Sequence, residues 1–344
     1  MRLNDLTRKY TPDFNQLIKV FNREVPDRPV LFEYFMNGDL FSHITGRPFA
    51  NLTEKEDMVS DIIESFYKLG YDYATIPARY LDTFSFEPSD HERKETVSLN
   101  TGSVIHDQHS FDSYPWPDAE KCNYQILSKI SGMLPDGMKI TIAGPGGLLE
   151  DVIYLTGYEK LCFMIYEDER LTQEIFDAVG SRLLRFYEIT SAFYPVGALI
   201  VNDDWGFKSQ TLFSPETLRQ YVFPWQKKIV EAIHNNGKYA VLHSCGQISA
   251  VIEDIIIDMN FDAKHSFEDN IIPVETAYEQ WSDRIAIVGG IDMDFLVRKT
   301  PAEIRNRAEN LLCTTGSKGY ALGSGNSIPP YVPVENYLAM ISVI

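Results

Sequence analysis

The stretch Lys238-Tyr-Ala-Val-Leu-His-Ser-Cys-Gly246 decides the fold class of this chain. Residues 239–242 form a short apolar run, and Asn-Asn-Gly at 235–237 precedes it as a helix stop and turn. The run predicts a buried strand that ends at His243. His243 and Cys245 lie two residues apart, so their side chains point the same way in an extended backbone. An imidazole and a thiol on one side of a strand end are two ligands for zinc or another thiophilic metal.

The composition indicates a large, acidic protein. The chain has 344 residues, of which 44% are hydrophobic and 12% aromatic, enough to bury a large core. The formal net charge of −18 argues against a nucleic-acid or an anionic-membrane partner. Four cysteines without regular spacing argue against a disulfide framework. No apolar run is long enough for a membrane span, so we expect a reduced, cytoplasmic protein.

Short apolar strands alternate with helices along the whole chain. Eight strands are predicted, near residues 30, 73, 139, 197, 239, 263, 285 and 320. This alternation favours a (β/α)8 TIM barrel, with residues 1–344 as a single domain, over an open doubly wound sheet. The polar segment 81–112 predicts a β-hairpin excursion after the second strand, near the barrel mouth.

Polar side chains follow these strands at their C-terminal ends, where barrel enzymes carry their chemistry. A strand interior could not hold so many unpaired charges, whereas a shared barrel mouth can. The candidate site residues are Glu33, Asp203, Asp204, His243, Cys245, His265, Glu268, Asp292 and Asn326.

Each candidate also has a simple structural role. Cys245 could be a small buried hydrophobe. Asp203 and Asp204 could brace the following loop, and because neighbours on a strand end point apart, we do not expect both to face one substrate. His265 and Glu268 follow the sixth strand, and they either orient His243 or lie on a solvated loop.

Five motifs in sequence order resemble the uroporphyrinogen decarboxylase superfamily. They are Asn202-Asp-Asp-Trp-Gly206, Ser214-Pro-Glu216, Leu242-His-Ser-Cys-Gly246, Gly289-Gly-Ile-Asp292 and Leu322-Gly-Ser-Gly-Asn-Ser-Ile-Pro-Pro330. The resemblance extends roughly from residue 28 to the end. Two activities are known in this superfamily. One is cofactor-free decarboxylation of a tetrapyrrole. The other is zinc-dependent methyl transfer between a corrinoid protein and a thiol or other acceptor, as in the methylcobamide:coenzyme M methyltransferases.

Departures from the family patterns favour the methyltransferase branch. The decarboxylases carry an Arg-Gln-Ala-Gly-Arg segment that holds substrate carboxylates. Here the segment is Phe32-Glu-Tyr-Phe-Met-Asn37, which has no arginine and places Glu33 where it would repel a polyacid. The His-x-Cys of the methyltransferases matches His243 and Cys245, but their further cysteine aligns with Asn326. We therefore expect a carboxylate to complete the metal site, with Glu33 the first candidate and Asp204 or Glu268 behind it.

The resemblance implies methyl transfer between a small-molecule donor or acceptor and a corrinoid. The chain has no Asp-x-His-x-x-Gly run, so the corrinoid should be carried by a separate protein. Zinc would activate the substrate heteroatom, and Asp292 should contact substrate or backbone. A homodimer is a candidate assembly. The alternatives are a carboxy-lyase like uroporphyrinogen decarboxylase and a metal-free small-molecule-binding barrel.

Overall fold

Seven parallel strands form one sheet in the computed structural model, which describes residues 10–86 and 104–344. The strands are β1 (Tyr73–Pro77), β2 (Lys139–Ala143), β3 (Val196–Asn202), β4 (Tyr239–His243), β5 (Ala263–His265), β6 (Ala286–Val288) and β7 (Tyr320–Ala321). They lie side by side in chain order. A parallel sheet in chain order is the arrangement of (β/α)8 barrels, so the predicted α/β class is confirmed.

Helices connect these strands. The α-helices are α1 (Phe14–Phe21), α2 (Gly38–Thr45), α3 (Lys55–Lys68), α4 (Gln108–Ser113), α5 (Gln125–Ile130), α6 (Leu148–Thr156), α7 (Tyr158–Glu167), α8 (Glu169–Ser191), α9 (Pro215–Thr217), α10 (Phe223–Asn235), α11 (Val274–Trp281), α12 (Met293–Arg298), α13 (Pro301–Thr315) and α14 (Val334–Ile341). Short π-helical segments occupy Leu218–Val222 and Asp254–Asp258. None of the described helices is long and apolar enough to cross a membrane.

The stretch that decides the fold has the structure expected from its sequence. Helix α10 ends at Asn235, and Gly237 follows with a φ of 66°. Glycine occupies this left-handed region without the steric penalty that other residues incur there, so the chain can turn directly into β4. The predicted strand that ends at His243 is confirmed.

The segment 30–36 lies beside β7 but does not form a regular strand. The Phe32 N–H donates to the Leu322 carbonyl oxygen at 2.8 Å, and the Leu322 N–H donates to the Val30 carbonyl oxygen at 2.8 Å. The segment makes only isolated parallel bridges, at Leu31 and Met36. The predicted strand near residue 30 is therefore wrong as a regular element, because no continuous ladder of hydrogen bonds forms along it.

On its other side, the segment 30–36 meets β1 through side chains. The hydroxyl groups of Thr75 and Tyr73 donate to the Glu33 carbonyl oxygen at 2.9 Å and 3.1 Å. The Glu33 N–H donates to the Tyr73 hydroxyl at 2.6 Å. The segment thus joins both ends of the seven-stranded sheet, in the place where an eighth strand was predicted.

The predicted β-hairpin at 81–112 lies partly outside the described residues, since 87–103 fall in its middle. Its last part is helical rather than extended, because α4 begins at Gln108. Asp107 accepts a hydrogen bond from the Ser110 N–H at 2.8 Å, and the Asp107 N–H donates to the Ser110 hydroxyl at 3.0 Å. This reciprocal capping box stabilises the start of a helix and explains the departure from the prediction.

The core lies between the strands and the helices. One continuous cluster of buried apolar side chains extends from Phe14 in α1 to Ile341 in α14. β3 is buried at every position except its last residue, Asn202, which is partly buried. Most interior strand positions are apolar, and the ionisable candidates named from the sequence lie at the strand ends or beyond them.

Candidate metal centre

Three neighbouring strands bring polar side chains side by side at their C-terminal ends. Asn202 of β3 pairs with His243 of β4, and His243 pairs with His265 of β5. Asp204 lies two residues after Asn202, and Cys245 lies two residues after His243. The parallel register therefore places all five residues at one edge of the sheet, the edge that carries active sites in barrel enzymes.

Asp204, His243 and Cys245 lie close enough to hold one metal ion. One ligand atom from each residue lies within 4.8 Å of the other two. Cys245 Sγ is 3.7 Å from His243 Nε2, and the Cys245 N–H donates to Asp204 Oδ1 at 2.7 Å. A carboxylate oxygen, an imidazole nitrogen and a thiolate sulfur are all zinc ligands, and three protein ligands leave a position open for substrate. The donor set fits a catalytic zinc ion.

The hydrogen bonds of His265 fix the tautomer of His243. His265 Nε2 lies 3.1 Å from the Ser324 carbonyl oxygen, which can only accept, so this nitrogen carries the proton. Burial lowers the pKa of His265 to about 3, so its ring is neutral and its Nδ1 is an acceptor. His243 Nδ1, at 2.8 Å, must then be the donor. The lone pair of His243 Nε2 therefore faces Cys245, as a metal ligand requires.

Cys245 is partly buried and its sulfur accepts two hydrogen bonds. The Ser266 hydroxyl donates to it at 3.2 Å and the Asn326 amide at 3.3 Å. Burial, reinforced by the Asp204 carboxylate, raises the pKa of the Cys245 thiol to about 12. The thiol therefore holds its proton at neutral pH, and a metal ion binding there must displace that proton.

Asp203 has a structural role. Its carboxylate accepts hydrogen bonds from the Leu149 N–H at 2.9 Å and from the Glu150 N–H at 3.2 Å, in the first turn of α6. It also accepts from Gln226 Nε2 at 2.9 Å. Burial raises the pKa of Asp203 to about 7. Asp203 thus caps α6, and its neighbour Asp204 points to Cys245.

Glu33, the first candidate for the oxygen ligand, lies outside the group formed by Asp204, His243 and Cys245. Its side chain is fully buried and contacts the hydroxyl of Ser324. Burial raises the pKa of the Glu33 carboxyl to about 8, so it is protonated at neutral pH. Among the described residues, it is Asp204 that brings a carboxylate oxygen to the histidine and the cysteine.

The remaining candidates after β5 and β6 contact backbone groups. Asp292 Oδ1 accepts from the Phe295 N–H at 3.0 Å and caps α12, while its Oδ2 accepts from the Asp269 N–H at 2.9 Å. Glu268 lies in a turn, where its carbonyl oxygen accepts from the Ile272 N–H at 2.9 Å. Neither residue belongs to the group with ligand spacing.

Lys264 lies close to the centre and was not singled out from the sequence. Its side chain is buried, and its ammonium donates to the Ser244 carbonyl oxygen at 3.3 Å and to the Ser266 carbonyl oxygen. Burial lowers the pKa of Lys264 to about 8, against the opposing influence of Cys245 and Asp204. The signal that the sequence offered was a lysine within a predicted strand, a position where lysine is rarely buried.

Tyr34 and Glu150 complete the surroundings. The Tyr34 ring stacks on His243 with centroids 4.1 Å apart and planes at 24°. The protein atoms around the Glu150 carboxyl, together with Asp204 and Asp203, raise its pKa, although the residue is exposed. From the sequence, Tyr34 is one of several aromatic residues that could line a pocket or belong to the core. Glu150 does not stand out, because crowding depends on contacts between distant segments.

More than half of the chain matches a known protein family. Residues 105–344 match the family described as uroporphyrinogen decarboxylase (URO-D). No curated protein sequence matches the chain. Among solved structures, a methyltransferase from Methanosarcina mazei is 16% identical, with a TM-score of 0.76 over 97% of this chain and 98% of that one. A protein assigned as a vitamin-B12 independent methionine synthase from Listeria monocytogenes is 14% identical, with a TM-score of 0.50 over 92% and 97%. At these identities the structural matches establish the fold.

Proposed function

Because the chain belongs to the uroporphyrinogen decarboxylase family, we propose that it is a methyltransferase that uses a metal centre at the barrel mouth. The methyl group would pass between a small substrate and a corrinoid carried by a partner protein. The observation that supports this proposal is the group of Asp204, His243 and Cys245, whose ligand atoms lie within 4.8 Å of one another. A decarboxylation that uses no cofactor needs no such donor set.

A zinc ion at this group would supply a Lewis acid for the heteroatom of the substrate. Neighbouring residues orient the side chains that would bind this ion. His265 holds His243 in the tautomer with a free Nε2 lone pair, and Tyr34 packs on the ring and fixes its plane. Asp204 supplies the oxygen and Cys245 the sulfur once its proton has left. In either direction, the group that loses the methyl keeps the bonding electron pair, and a lone pair of the acceptor forms the new bond to carbon. A substrate heteroatom that loses the methyl group takes a proton from solvent, and one that gains it has first released its proton.

The carboxy-lyase alternative has less support. The segment 32–37 contains no arginine to hold the carboxylates of a polyacidic substrate. The expected repulsion by Glu33 does not add to this, because its carboxyl is buried and is protonated at neutral pH. The absence of arginine from the segment 32–37 is therefore the argument from sequence that remains against a tetrapyrrole acid.

Metal analysis and methyl transfer from free methylcobalamin test the proposal together. We expect about one zinc ion per chain after reconstitution. With 2-mercaptoethanol or imidazole supplied as the methyl acceptor, we also expect a spectral change of methylcobalamin that requires the metal and is lost in Asp204→Asn. A folded protein that binds no zinc would contradict the proposal and favour a metal-free binding barrel. Zinc binding without any corrinoid reaction would retain the metal centre and reject the methyl transfer.

A further inference from the structure

The sulfur of Cys245 accepts hydrogen bonds from two side chains that are not among the proposed metal ligands. The Ser266 hydroxyl approaches it at 3.2 Å and the Asn326 amide at 3.3 Å. Sulfur is a weak acceptor, and two side-chain donors on one cysteine is a high number. Neither contact is needed to bring Asp204, His243 and Cys245 together, because those three residues are placed by β3, β4 and the loops that follow.

The orientation of Asn326 is fixed by its own backbone surroundings. Its Oδ1 accepts a hydrogen bond from the Ser327 N–H at 2.7 Å. An N–H group can only donate, so the oxygen of the amide must lie on that side and Nδ2 must face Cys245. Asn326 therefore acts on the sulfur as a donor, and its amide oxygen is turned to Ser327.

Ser266 reaches the sulfur from a strained backbone conformation. Its φ is 81°, in the left-handed region that a serine rarely adopts. The residue is buried, and its carbonyl oxygen accepts a hydrogen bond from the Lys264 ammonium, which holds the turn in place. Backbone strain of this kind tends to occur where a side chain is held in a particular direction for function.

We propose that Ser266 and Asn326 are positioning residues that weaken the bond from the Cys245 sulfur to the metal ion. As a result, the metal centre prefers a substrate with an oxygen or nitrogen heteroatom over a thiol. This inference rests on the proposed function. Each donor withdraws electron density from the sulfur lone pairs, which a metal–thiolate bond also uses. The other ligands are the oxygen of Asp204 and the nitrogen of His243. A centre with one weakened sulfur and two harder ligands matches harder substrate atoms.

Cobalt(II) substitution makes this testable without turnover, because the thiolate-to-cobalt charge-transfer band in the near ultraviolet reports how strongly the sulfur donates. Asn326→Leu keeps the size and removes the donor, and Ser266→Ala removes the hydroxyl. We expect each variant to shift the band to longer wavelength and the double variant to shift it further. Ser266→Gly should give the same shift as Ser266→Ala and also relieve the left-handed strain, which separates the hydrogen bond from backbone effects.

A thiol probe tests the consequence for substrate preference. We expect 2-mercaptoethanol to bind the cobalt protein more tightly, relative to imidazole, in the double variant, because a more strongly donating Cys245 makes the metal ion a softer acceptor. The affinity for imidazole, a nitrogen ligand, should change much less. Asn306→Leu in α13 and Ser181→Ala in α8, both at exposed helical positions, are the matched controls and should leave both band and affinity unchanged.

The outcomes distinguish this inference from the proposed function. If cobalt binds and methyl transfer proceeds but the band does not move in the variants, the inference is overturned and the function stands. If the band moves but thiol affinity does not rise, the claimed preference is overturned. If the folded protein binds no cobalt, or binds it without a thiolate band, the metal centre and the inference fail together.

Discussion

Asp203 and Asp204 are adjacent in the sequence, but their carboxylates have different partners. Asp203 turns to the start of α6, whereas Asp204 contacts the backbone of Cys245. Side chains alternate in direction along an extended backbone, which separates the two carboxylates. One carboxylate can therefore cap a helix while its neighbour remains available to a metal ion.

Replacing a ligand should remove the metal without unfolding the protein. We expect Cys245→Ala and Asp204→Asn to lower zinc content after reconstitution at least tenfold, since three protein ligands are few and each is needed. Both side chains lie on loops beyond the strand ends, so the circular dichroism spectrum and the thermal midpoint should change little. Cys313→Ala removes an exposed cysteine and is the control. Zinc retained at full stoichiometry in Cys245→Ala would exclude this residue as a ligand.

The buried carboxyl of Glu33 should make stability depend on pH. Its pKa is raised from 4.5 to about 8 by burial, so the folded chain keeps a proton that the unfolded chain releases above pH 4.5. The contribution to stability is complete below pH 4.5 and is lost as the pH rises toward 8, by up to about 1.4 kcal/mol per pH unit.

Glu33→Gln should remove this dependence, because a glutamine resembles the protonated carboxyl. The free energy of unfolding in urea, relative to the unsubstituted protein, should rise between pH 5 and pH 7.5. Glu279→Gln, at an exposed position, is the control. A relative stability that is flat with pH would mean that Glu33 is not protonated in the folded chain.

At the scale of elements, α6 depends on a residue from another strand end. The Asp203 carboxylate accepts from two N–H groups of its first turn, and Gly147, the residue before the helix, has no side chain for that purpose. Asp203→Ala should therefore cost about 2 kcal/mol or more, since it removes a buried cap and leaves Gln226 Nε2 without its partner.

Urea unfolding of Asp203→Ala and Asp204→Ala measures this difference. We expect the first variant to lose stability and the second to lose zinc with a smaller change in stability. Asp203→Asn retains an acceptor oxygen and should recover part of the loss. Equal destabilisation by the two alanine variants would contradict the division of roles between the neighbouring carboxylates.

Local patterns were sufficient to predict some elements of the site. The β4 strand and the common direction of His243 and Cys245 follow from an apolar run, a turn and the two-residue period of a strand. The oxygen ligand could not be chosen in this way, because the choice between Glu33 and Asp204 depends on how the segment 30–36 packs against β7. The role of Lys264 likewise depends on loops that are far from it in sequence.

At the scale of the whole molecule, the segment 30–36 decides whether the sheet closes. It bonds to β7 through backbone groups but meets β1 through the hydroxyl groups of Tyr73 and Thr75. The prediction of eight strands was correct for the seven that pair in a ladder. It failed for the segment 30–36. A pattern of hydrophobic residues cannot reveal that side chains of β1 take the place of the backbone hydrogen bonds between this segment and β1.

This closure should be sensitive to two hydroxyl groups. Tyr73→Phe leaves the buried N–H and carbonyl oxygen of Glu33 with fewer partners, and Thr75→Val removes a second donor to the same oxygen. We expect each variant to lose about 1–3 kcal/mol of stability. Because both act on Glu33, the loss in the double variant should differ from the sum of the two.

Amide hydrogen exchange locates the effect. If the two hydroxyl groups hold the segment 30–36 against β1, the amide of Phe32 should exchange faster in both variants. The amides between β3 and β4 should follow only the change in global stability, because their ladder is untouched. Exchange that rises equally at Phe32 and in the β3–β4 ladder would show that the segment opens only when the whole sheet unfolds. In that case, backbone bonds to β7 and apolar packing would hold the segment in place, and the side-chain contacts to β1 would add stability without controlling the closure.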